Sequence, residues 1–575
     1  MLTTRIKVRA RSCTEAGDRV AAPPQTEQEL LDTVGGRYVS TQVNAQLLRA
    51  WLHQCETEHG NVCMPSLRLP VEKNREAVFQ PTFLIDATQL CLVDTPSQCR
   101  YVALSYVWGT APVFRHLLEN TQDLRKTGSL HLLPIPATIR DAITLVHAIG
   151  ERYLWVDSLC IIQNDLMMQQ AEIMRMGSIY SRALFTIIAA AGGHANNGLP
   201  GVARGSREQV QKILKIGDYE LLTVIDIRNT PSGINDTIWA ERAWTFQERV
   251  LSNRILVFSE SQAYWNCRVT SYSEEQALEQ VRDIVRRDLP FPQKPATESL
   301  SWEPLQPLEY RKIYDDLLLG YRARHLSYET DMLNAFSGVS EILGALQDDT
   351  FHWGLPESLF SYAMTWSFTG PTSRNHVEVP VFDRNGRKEM VSIPSWSWAA
   401  WSGSDPIRPP VLHAGDSNDV RPVIHFDIVD EKRRLVRIKD WPMQGDTAEF
   451  VPTLWNNELP HQVQSLAQHS VSCIGQLQFW TSLATLRAIR QWSDLGLGEV
   501  HYILFPPPDF LPDPDSNHEF VDQDFIVVAA RDPGELILLA IEWKDGVAYR
   551  VGMEDIKEVD WVGVENREWR LITLG

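Results

Sequence analysis

The sequence predicts an α/β protein with a mainly parallel sheet in its first half and a β-rich region at its end. Between residues 101 and 192, short apolar strands alternate with longer helical segments, which is the pattern of βαβ units. Beyond residue 355 the chain becomes rich in Trp and Pro and carries β-like runs such as RPVIHFDIV, DFIVVAA and LILLAIEW. These two patterns define two structurally different halves.

The length of the chain, 575 residues, exceeds what one ordinary core accommodates, so two or three domains are expected. Changes in composition and periodicity predict the following segments: a mobile N-terminal tail (1–40), a helical N-terminal segment (41–94), the α/β domain (95–270), a linker or insertion (271–305) and a helical then β-rich region (306–575).

The elements follow in order from local signals. A helix is predicted in TQVNAQLLRAWLHQCETEH, with apolar residues at helical spacing. Three strands come next, namely YVALSYVW, RYLWVDSLCII and LFTIIAAAG, and they are separated by the helices PATIRDAITLVHAIG and DLMMQQAEIMRMGSIYSRA. Gly150 is expected to end the first of these helices, and the pair Gly192-Gly193 is expected to end the last of these strands. The run LLTVIDI, a helix containing Trp244 and the strand pair RILVFS and QAYWNCR complete the domain.

Charge and composition exclude several classes of function. A net charge of −19 at a pI near 5.3 disfavours binding to nucleic acid and to anionic membranes. The absence of an apolar run of about 18 residues argues against a membrane-spanning segment. Eight thinly spread cysteines fit a reducing, cytoplasmic location. The chain has no GxGxxG, no Walker P-loop and no HExxH, so no cofactor is expected from a motif.

The cysteines suggest neither a metal centre nor a nucleophile. The spacing Cys55-x3-His59-x3-Cys63 places three ligands near one another, but Gly60 ends the helix and no fourth ligand follows locally. We therefore expect a buried cysteine pair with a capping histidine, and no bound metal. Cys160 lies among Leu and Ile side chains and is expected to be buried and inert.

The clearest chemical signal is the pair Trp244 and Glu248 in the run AERAWTFQERVLSNR. Residues four apart lie on one face of a helix, so the carboxylate borders an indole and an apolar stripe. A carboxylate in such a place is either paired or used in chemistry. Taken alone, this segment leaves two interpretations open: a structural ion pair with Arg254 or another arginine, and an active-site carboxylate.

Two strand ends supply further candidates. Asp157 follows the strand YLWV, and in doubly wound sheets the carboxyl edge of the strands holds ligands; capping of the following helix is the alternative role. The segment LSYVWGT combines a hydroxyl, two aromatic rings and a glycine, namely Ser105, Tyr106, Trp108 and Gly109. Such a loop can stack a flat ligand, although tight packing needs the same residue types.

Several long stretches in a fixed order resemble the fungal heterokaryon-incompatibility (HET) domain family. Minor departures are Ile162, where the family often has Asn, Asn164, where it often has Asp, and Ala400, where it often has Gly. The stretches that carry the resemblance are YVALSYVWG (101–109), LPIPATIRDAITLVHAIGERYLWVDSLCIIQND (133–165), MGSIYSRALFTIIAAAG (176–192), RAWTFQERVLSNRILVF (242–258) and, in the flanks of this domain, the spacing of Cys55, His59 and Cys63, RHLSYETDMLNAFSGV (324–339) and PSWSWAAW (394–401).

The resemblance implies a function in fungal non-self recognition and cell-death signalling. HET domains resemble TIR domains, which are flavodoxin-like and carry a W-x3-E pair whose Glu is catalytic in NAD-cleaving members. By this resemblance Glu248 is the catalytic residue, and Ser105, Tyr106, Trp108, Gly109, Asp157 and Trp244 bind the substrate. NAD is then a substrate rather than a cofactor.

The same resemblance also fits two other roles. One is a non-catalytic signalling module that acts by self-assembly and by recruiting protein partners, with a homo-oligomer as its active form. The other is a HET scaffold used in a different enzymatic pathway. Release of nicotinamide from NAD distinguishes an NAD-cleaving enzyme from the non-catalytic signalling module.

Overall fold

A computed structural model describes most of the chain. The described residues are 6–9, 35–64, 80–209, 211–216, 219–223, 234–277, 306–368, 372–375, 377–382, 388–403, 407–408, 420–440, 473–491, 501–504, 518–531 and 534–575. The chain divides into two compact units, residues 1–299 and 300–575.

An eight-stranded sheet forms the centre of the first unit. Its strands, numbered along the chain, are β1 (Phe83–Asp86), β2 (Cys91–Asp94), β3 (Val102–Ser105), β4 (Tyr153–Trp155), β5 (Thr186–Ala189), β6 (Arg254–Phe258), β7 (Ala263–Cys267) and β8 (Ser271–Ser273). Their order across the sheet is β8-β7-β6-β5-β3-β4-β1-β2. The predicted strands YVALSY, YLWVDS and LFTIIAA therefore occupy its middle.

The four central strands are parallel. Strand β3 pairs with β4 on one side and with β5 on the other, and β5 pairs with β6. Side by side, these strands lie in the order β4-β3-β5-β6, which is 2-1-3-4 when the four are numbered along the chain. The strand order therefore reverses between β3 and β5. In doubly wound sheets, ligands bind at the carboxyl ends of the strands that flank such a reversal.

Antiparallel hairpins cover both edges of the parallel core. The hairpin β1–β2 pairs with β4, and β7–β8 pairs with β6. The first hairpin lies within 41–94, where the sequence analysis predicted only a helical segment. Its strands are joined by a turn in which Leu90 adopts a φ of +53°, without the Gly or Asn that marks such turns, so the sequence carried no hairpin signal. The whole of β1 is buried against the sheet.

The helices in the described part of the first unit follow the predictions only in part. The predicted helix DLMMQQAEIMRMGSIYSRA is two helices, which are separated at Met174 and Arg175. The longer helices of the unit are α1 (Ala45–Glu58), α2 (Ala137–Ile149), α3 (Leu166–Ile173), α4 (Met176–Arg182) and α5 (Trp244–Val250). Single helical turns span Thr121–Leu124, Ser129–Leu132, Asp157–Cys160 and Ile238–Glu241. Helix α2 ends at Gly150, whose φ of +92° favours glycine, and Asp165 caps α3 by accepting from the Met168 amide.

Short strands outside the main sheet complete the described part of this unit. The strand Ile6–Arg9, in the segment predicted as a tail, pairs with Tyr219–Thr223, which in turn pairs with Ile213–Ile216; Gly35–Gly36 pairs with Gln276–Ala277. The predicted run LLTVIDI is described only to Thr223. Most of the predicted linker, residues 278–305, lies outside the described residues.

The second unit begins with helices and continues mainly as strands, as expected. Its helices are Pro307–Arg322, Asn334–Gln347, Phe360–Ala363 and Glu558–Val562. A nine-stranded sheet contains Val420–Pro422, Asp427–Val429, Leu435–Arg437, Leu477–Gln491, His501–Leu504, His518–Arg531, Glu535–Lys544, Val547–Lys557 and Glu568–Leu574. Short strands also form two-stranded antiparallel sheets, in which Phe351–His352 pairs with Leu355–Pro356, Ser367–Phe368 with Ile407–Arg408, Thr372–Arg374 with Trp401–Gly403 and Glu378–Phe382 with Lys388–Ser392.

The Trp-rich segment PSWSWAAW forms part of the core of the second unit. Trp396 and Trp398 are fully buried, and Trp398 packs edge-on against Tyr321 and Phe336. This is the packing role predicted for the segment. Among the described residues, no helix is long and apolar enough to cross a membrane.

Candidate functional site

The candidate site lies where the chain leaves β3 and β5 at their carboxyl ends. The loop after β3 and the loop after β5 are joined by a hydrogen bond from the Ala195 amide to the Trp108 carbonyl, 3.2 Å long. Gly109 makes this approach possible: its φ is +82°, and a Cβ at this position would lie 2.6 Å from Cβ of His194. Gly109 therefore shapes the loop rather than offering a reactive group.

Asp157 projects at this edge from the turn that follows β4. The Trp108 indole donates to Asp157 Oδ2 over 2.9 Å, and the Ser158 amide donates to Oδ1 over 2.6 Å. Burial raises the pKa of Asp157 to about 6, although these hydrogen bonds and the charge of Arg242 favour the ionised form. The residue keeps partial exposure to solvent, so it forms the outer part of the site.

Glu248 forms the inner part of the site. It lies in α5, and only 6% of its surface is exposed. Burial raises its pKa to about 7; hydrogen bonding with Ser105 opposes this shift, the negative charge of Asp157 adds to it, and Arg242 and Tyr180 oppose it. Glu248 is therefore adjacent to the end of β3 and electrostatically coupled to Asp157.

Buried hydrogen bonds hold the residues that surround the two acids. The Trp239 indole donates to Ser105 Oγ over 2.7 Å, which leaves the hydroxyl proton of Ser105 available to Glu248. The Tyr106 hydroxyl donates to Ser158 Oγ over 2.8 Å. The Tyr180 hydroxyl lies 3.2 Å from the Leu104 carbonyl. Each of these bonds ties the site to β3 or to the turn after β4.

Arg242 is the cation of the site. Its guanidinium lies 3.5 Å from the Tyr106 carbonyl, and its charge lowers the pKa of both Asp157 and Glu248. Two acids with a raised pKa, placed near one cation, can exchange protons close to neutral pH. The arrangement is suited to acid–base chemistry or to the stabilisation of a developing positive charge.

The structure does not support an ion pair between Glu248 and Arg254. The Arg254 side chain is buried and donates to Cys55 Sγ over 3.1 Å and to the Leu184 carbonyl over 3.1 Å. Strand β6 begins at Arg254 and directs its side chain to another part of the unit. The sequence did not reveal this. Arg254 follows Glu248 by six residues, but the helix ends at Val250, so helical spacing does not predict where the Arg254 side chain points.

The predicted site residues fall into three groups. Ser105, Trp108 and Asp157 belong with Glu248 to one hydrogen-bonded and electrostatic cluster. Tyr106 is buried and acts on this cluster through Ser158, and Gly109 shapes the loop. Trp244 begins α5 and packs, partly buried, against the hydrophobic core.

Sequence reasoning missed four members of the cluster: Ser158, Tyr180, Trp239 and Arg242. Ser158, Tyr180 and Arg242 lie within the stretches of family resemblance, and Trp239 lies just before the stretch 242–258, so the resemblance is the signal that would have found them. Cys160 is buried as predicted, and burial raises the pKa of its thiol, so the group is held as an unreactive thiol.

A second cluster of side chains lies elsewhere in the unit. Ligand atoms of Cys55, His59, Cys63 and Cys267 all lie within 4.8 Å of one another. The expectation that no metal binds depended on the lack of a fourth ligand near Cys63. Cys267, from the far end of the domain, places a fourth potential ligand atom beside the other three.

The fold and site define an α/β protein with two coupled acids at the switch point of a parallel sheet. Residues 101–248 match the model of the family described as Heterokaryon incompatibility protein (HET). The matched stretch runs from the start of β3 to Glu248, so this part of the chain resembles the HET domain and contains every residue of the cluster. No curated protein and no solved structure matches the chain.

Proposed function

We propose that the protein acts in fungal non-self recognition and cell-death signalling, and that its α/β domain is TIR-like and flavodoxin-like and cleaves NAD. The HET family match supports the first part, because this family is named for heterokaryon incompatibility. The 2-1-3-4 order of the parallel strands supports the second, since flavodoxin-like sheets begin with the same order. Cytoplasmic location and protein partners are part of the same proposal.

The single observation that carries the proposal is the placement of Glu248. A carboxyl group with a pKa of about 7 lies against the end of β3, beside the switch point where such folds bind ligands. Burial raises the pKa of carboxyl groups in ordinary cores as well as in active sites. What favours chemistry at Glu248 is that its raised pKa occurs beside a second acid, Asp157, and the cation Arg242, at the edge of the sheet where such folds bind ligands.

In this mechanism the bond between nicotinamide and ribose breaks with its electron pair leaving on the nicotinamide nitrogen. The ribose then carries oxocarbenium character, which the ionised Glu248 stabilises in its low-dielectric position. Asp157, on the solvent side, accepts a proton from the water that attacks the ribose. Nicotinamide departs neutral, so no acid is needed for the leaving group.

Trp108 and Trp244 have roles in substrate binding. Both are partly exposed, and Trp108 also holds Asp157 in place. An aromatic ring at this position offers a stacking surface for a flat base. Because Glu248 itself is only 6% exposed, entry of the ribose requires a local movement of the residues that cover it.

The direct test is incubation of the purified full-length protein with NAD and measurement of nicotinamide. We expect release by the wild-type protein and by Glu241→Gln, an exposed residue at the end of the preceding helical turn, and loss of release in Glu248→Gln. Absence of release from the wild-type protein, both as purified and after assembly at high concentration, would reject the enzymatic proposal.

The burial of Glu248 also favours a second candidate function, a non-catalytic module that signals by self-assembly and recruitment. In that case Ser105, Tyr180 and Glu248 serve only as a buried polar network that fixes α5 against the sheet. Growth arrest in a fungal host that persists in Glu248→Gln, with no NAD consumed, would support this candidate over the enzyme.

A further inference from the structure

Four potential metal ligands converge at the end of the first unit opposite to the Glu248 site. Cys55 lies in the last turn of α1, His59 caps that helix, and Cys63 follows one short helical turn later. Cys267 is the last residue of β7. The three cysteines are buried and the histidine is partly buried.

The distances fit tetrahedral zinc. His59 Nδ1 lies 3.8 Å from Cys63 Sγ and 3.4 Å from Cys267 Sγ. Zinc bonds of about 2.3 Å to sulfur and about 2.0 Å to nitrogen place tetrahedral sulfur and nitrogen ligands about 3.5 Å apart, and two sulfurs about 3.8 Å apart. All the ligand atoms lie within 4.8 Å of one another, so binding requires shifts of about an ångström or less.

The surroundings of the cluster supply the contacts that metal-bound thiolates need. The Arg254 guanidinium donates to Cys55 Sγ, and the Thr270 amide donates to Cys267 Sγ over 3.4 Å. Within the described part of the chain, no carboxylate lies within ion-pair distance of Arg254, which is 1% exposed. A buried guanidinium without a carboxylate requires another anion.

Zinc accounts for that charge. Three thiolates and one divalent cation carry a net charge of −1, which the guanidinium of Arg254 neutralises. A group of neutral thiols would leave this buried positive charge uncompensated. A disulfide between two of the cysteines would also leave the charge of Arg254 uncompensated. It would not explain why the third cysteine and the histidine lie beside the other two.

We propose that Cys55, His59, Cys63 and Cys267 bind one zinc ion in a closed structural site. Three thiolates and one imidazole are a typical set for structural zinc, with no open position for a substrate. The ligating atom of the histidine is Nδ1, because this nitrogen faces both Cys63 and Cys267. The proposal replaces the expectation, drawn from local spacing, that this motif binds no metal.

The zinc would join α1 to the antiparallel edge of the sheet. Cys267 pairs with Arg254 at the amino end of β6, whereas Glu248 lies near the carboxyl end of β3. The ion therefore acts on stability and not on the reaction. Closing a loop of 208 residues between His59 and Cys267 restricts the unfolded chain, and ligand binding to the native state adds to this effect.

Metal analysis of the full-length protein, purified without added zinc, tests the proposal. We expect about one zinc per chain in the wild-type protein and in Cys91→Ala, a buried cysteine outside the cluster. Cys267→Ser should lose the metal. His59→Cys should keep it, because four thiolates also form a typical structural zinc site.

A second measurement keeps the test valid if Cys267→Ser does not fold. Exchange of the wild-type protein into Co²⁺ should give the intense visible absorption of a tetrahedral thiolate site, and chelation should lower the melting temperature of the wild-type protein. Folded wild-type protein that neither contains zinc nor takes up Co²⁺ would overturn the proposal. A disulfide among the three cysteines, or full zinc in folded Cys267→Ser, would overturn it as well.

Discussion

Glu248→Gln distinguishes a reactive carboxylate from a structural one, because the substitution keeps the side-chain volume and removes the charge. Burial is the main cause that raises the pKa of Glu248 from 4.5 to about 7. At about 1.4 kcal/mol per pKa unit, ionising this group in the native state costs about 3 kcal/mol relative to the unfolded chain. The native state thus binds this proton more tightly than the unfolded state does.

The sign of the pH dependence follows from this difference. The stabilising contribution of protonated Glu248 is complete below the unfolded pKa of 4.5 and is lost as the pH rises through about 7. The glutamine side chain of the variant cannot ionise, so the free energy of unfolding of Glu248→Gln should lie within about 1 kcal/mol of the wild-type value near pH 5 and exceed it by about 3 kcal/mol near pH 8. Asp157, with a pKa raised to about 6, changes both proteins in the same direction.

Urea unfolding near pH 5 and near pH 8, and NAD turnover on the same preparations, are the measurements. The matched control is Glu241→Gln, which removes one exposed carboxylate from the neighbouring turn and should leave both quantities unchanged. In Glu248→Gln we expect turnover to fall by about 10²- to 10³-fold, a loss that is usual for a key electrostatic group. Lower stability at both pH values, with turnover retained, would refute the reasoning and identify Glu248 as part of a structural pair.

Three further predictions concern the rest of the site and the chain. Asp157→Asn removes the proposed base, so turnover should fall. It also removes a charge that raises the pKa of Glu248, so the acid limb of the remaining pH–rate profile should move to lower pH, and an unmoved limb would exclude this coupling. Gly109→Ala adds a Cβ 2.6 Å from His194 and should destabilise the protein by about 1–3 kcal/mol in urea unfolding. Gly205→Ala is its control, since its φ is also positive (+77°) but no atom lies within 4 Å of the added Cβ. Expression of the compact unit 1–299 should arrest a fungal host at least as strongly as the full chain, and toxicity confined to the C-terminal fragment would reverse this assignment of roles.

Much of the α/β domain could be predicted from the sequence, because its signals are local. The apolar strands that became β3, β4 and β5 and the stop at Gly150 depend on residues a few positions apart. The hairpin 83–94 was missed, since Leu90 takes the positive φ of its turn and no Gly or Asn marks that turn in the sequence. The turn at Asp157 was located correctly because it directly follows a strand.

The partners of the site residues could not be predicted in the same way. Tyr180 and Trp239 reach the cluster from separate elements, and nothing in the spacing of the chain specifies that they meet Ser105 and Glu248. A pair between Glu248 and Arg254 was one of the interpretations that the sequence left open, but the register of β6 places Arg254 opposite Cys267. Register is a property of paired strands and not of one segment.

The sequence by itself determined which residues have the right chemistry and on which kind of element they lie. Glu248, Asp157 and Ser105 could each be assigned to a helix or to a strand end, since local geometry repeats every few residues. Only the tertiary structure decided that burial brings two acids to a pKa near neutrality, and that Cys267 completes the group formed by Cys55, His59 and Cys63. The physical reason is that solvation and coordination depend on distances through space, which the chain sets only after its sheet has formed.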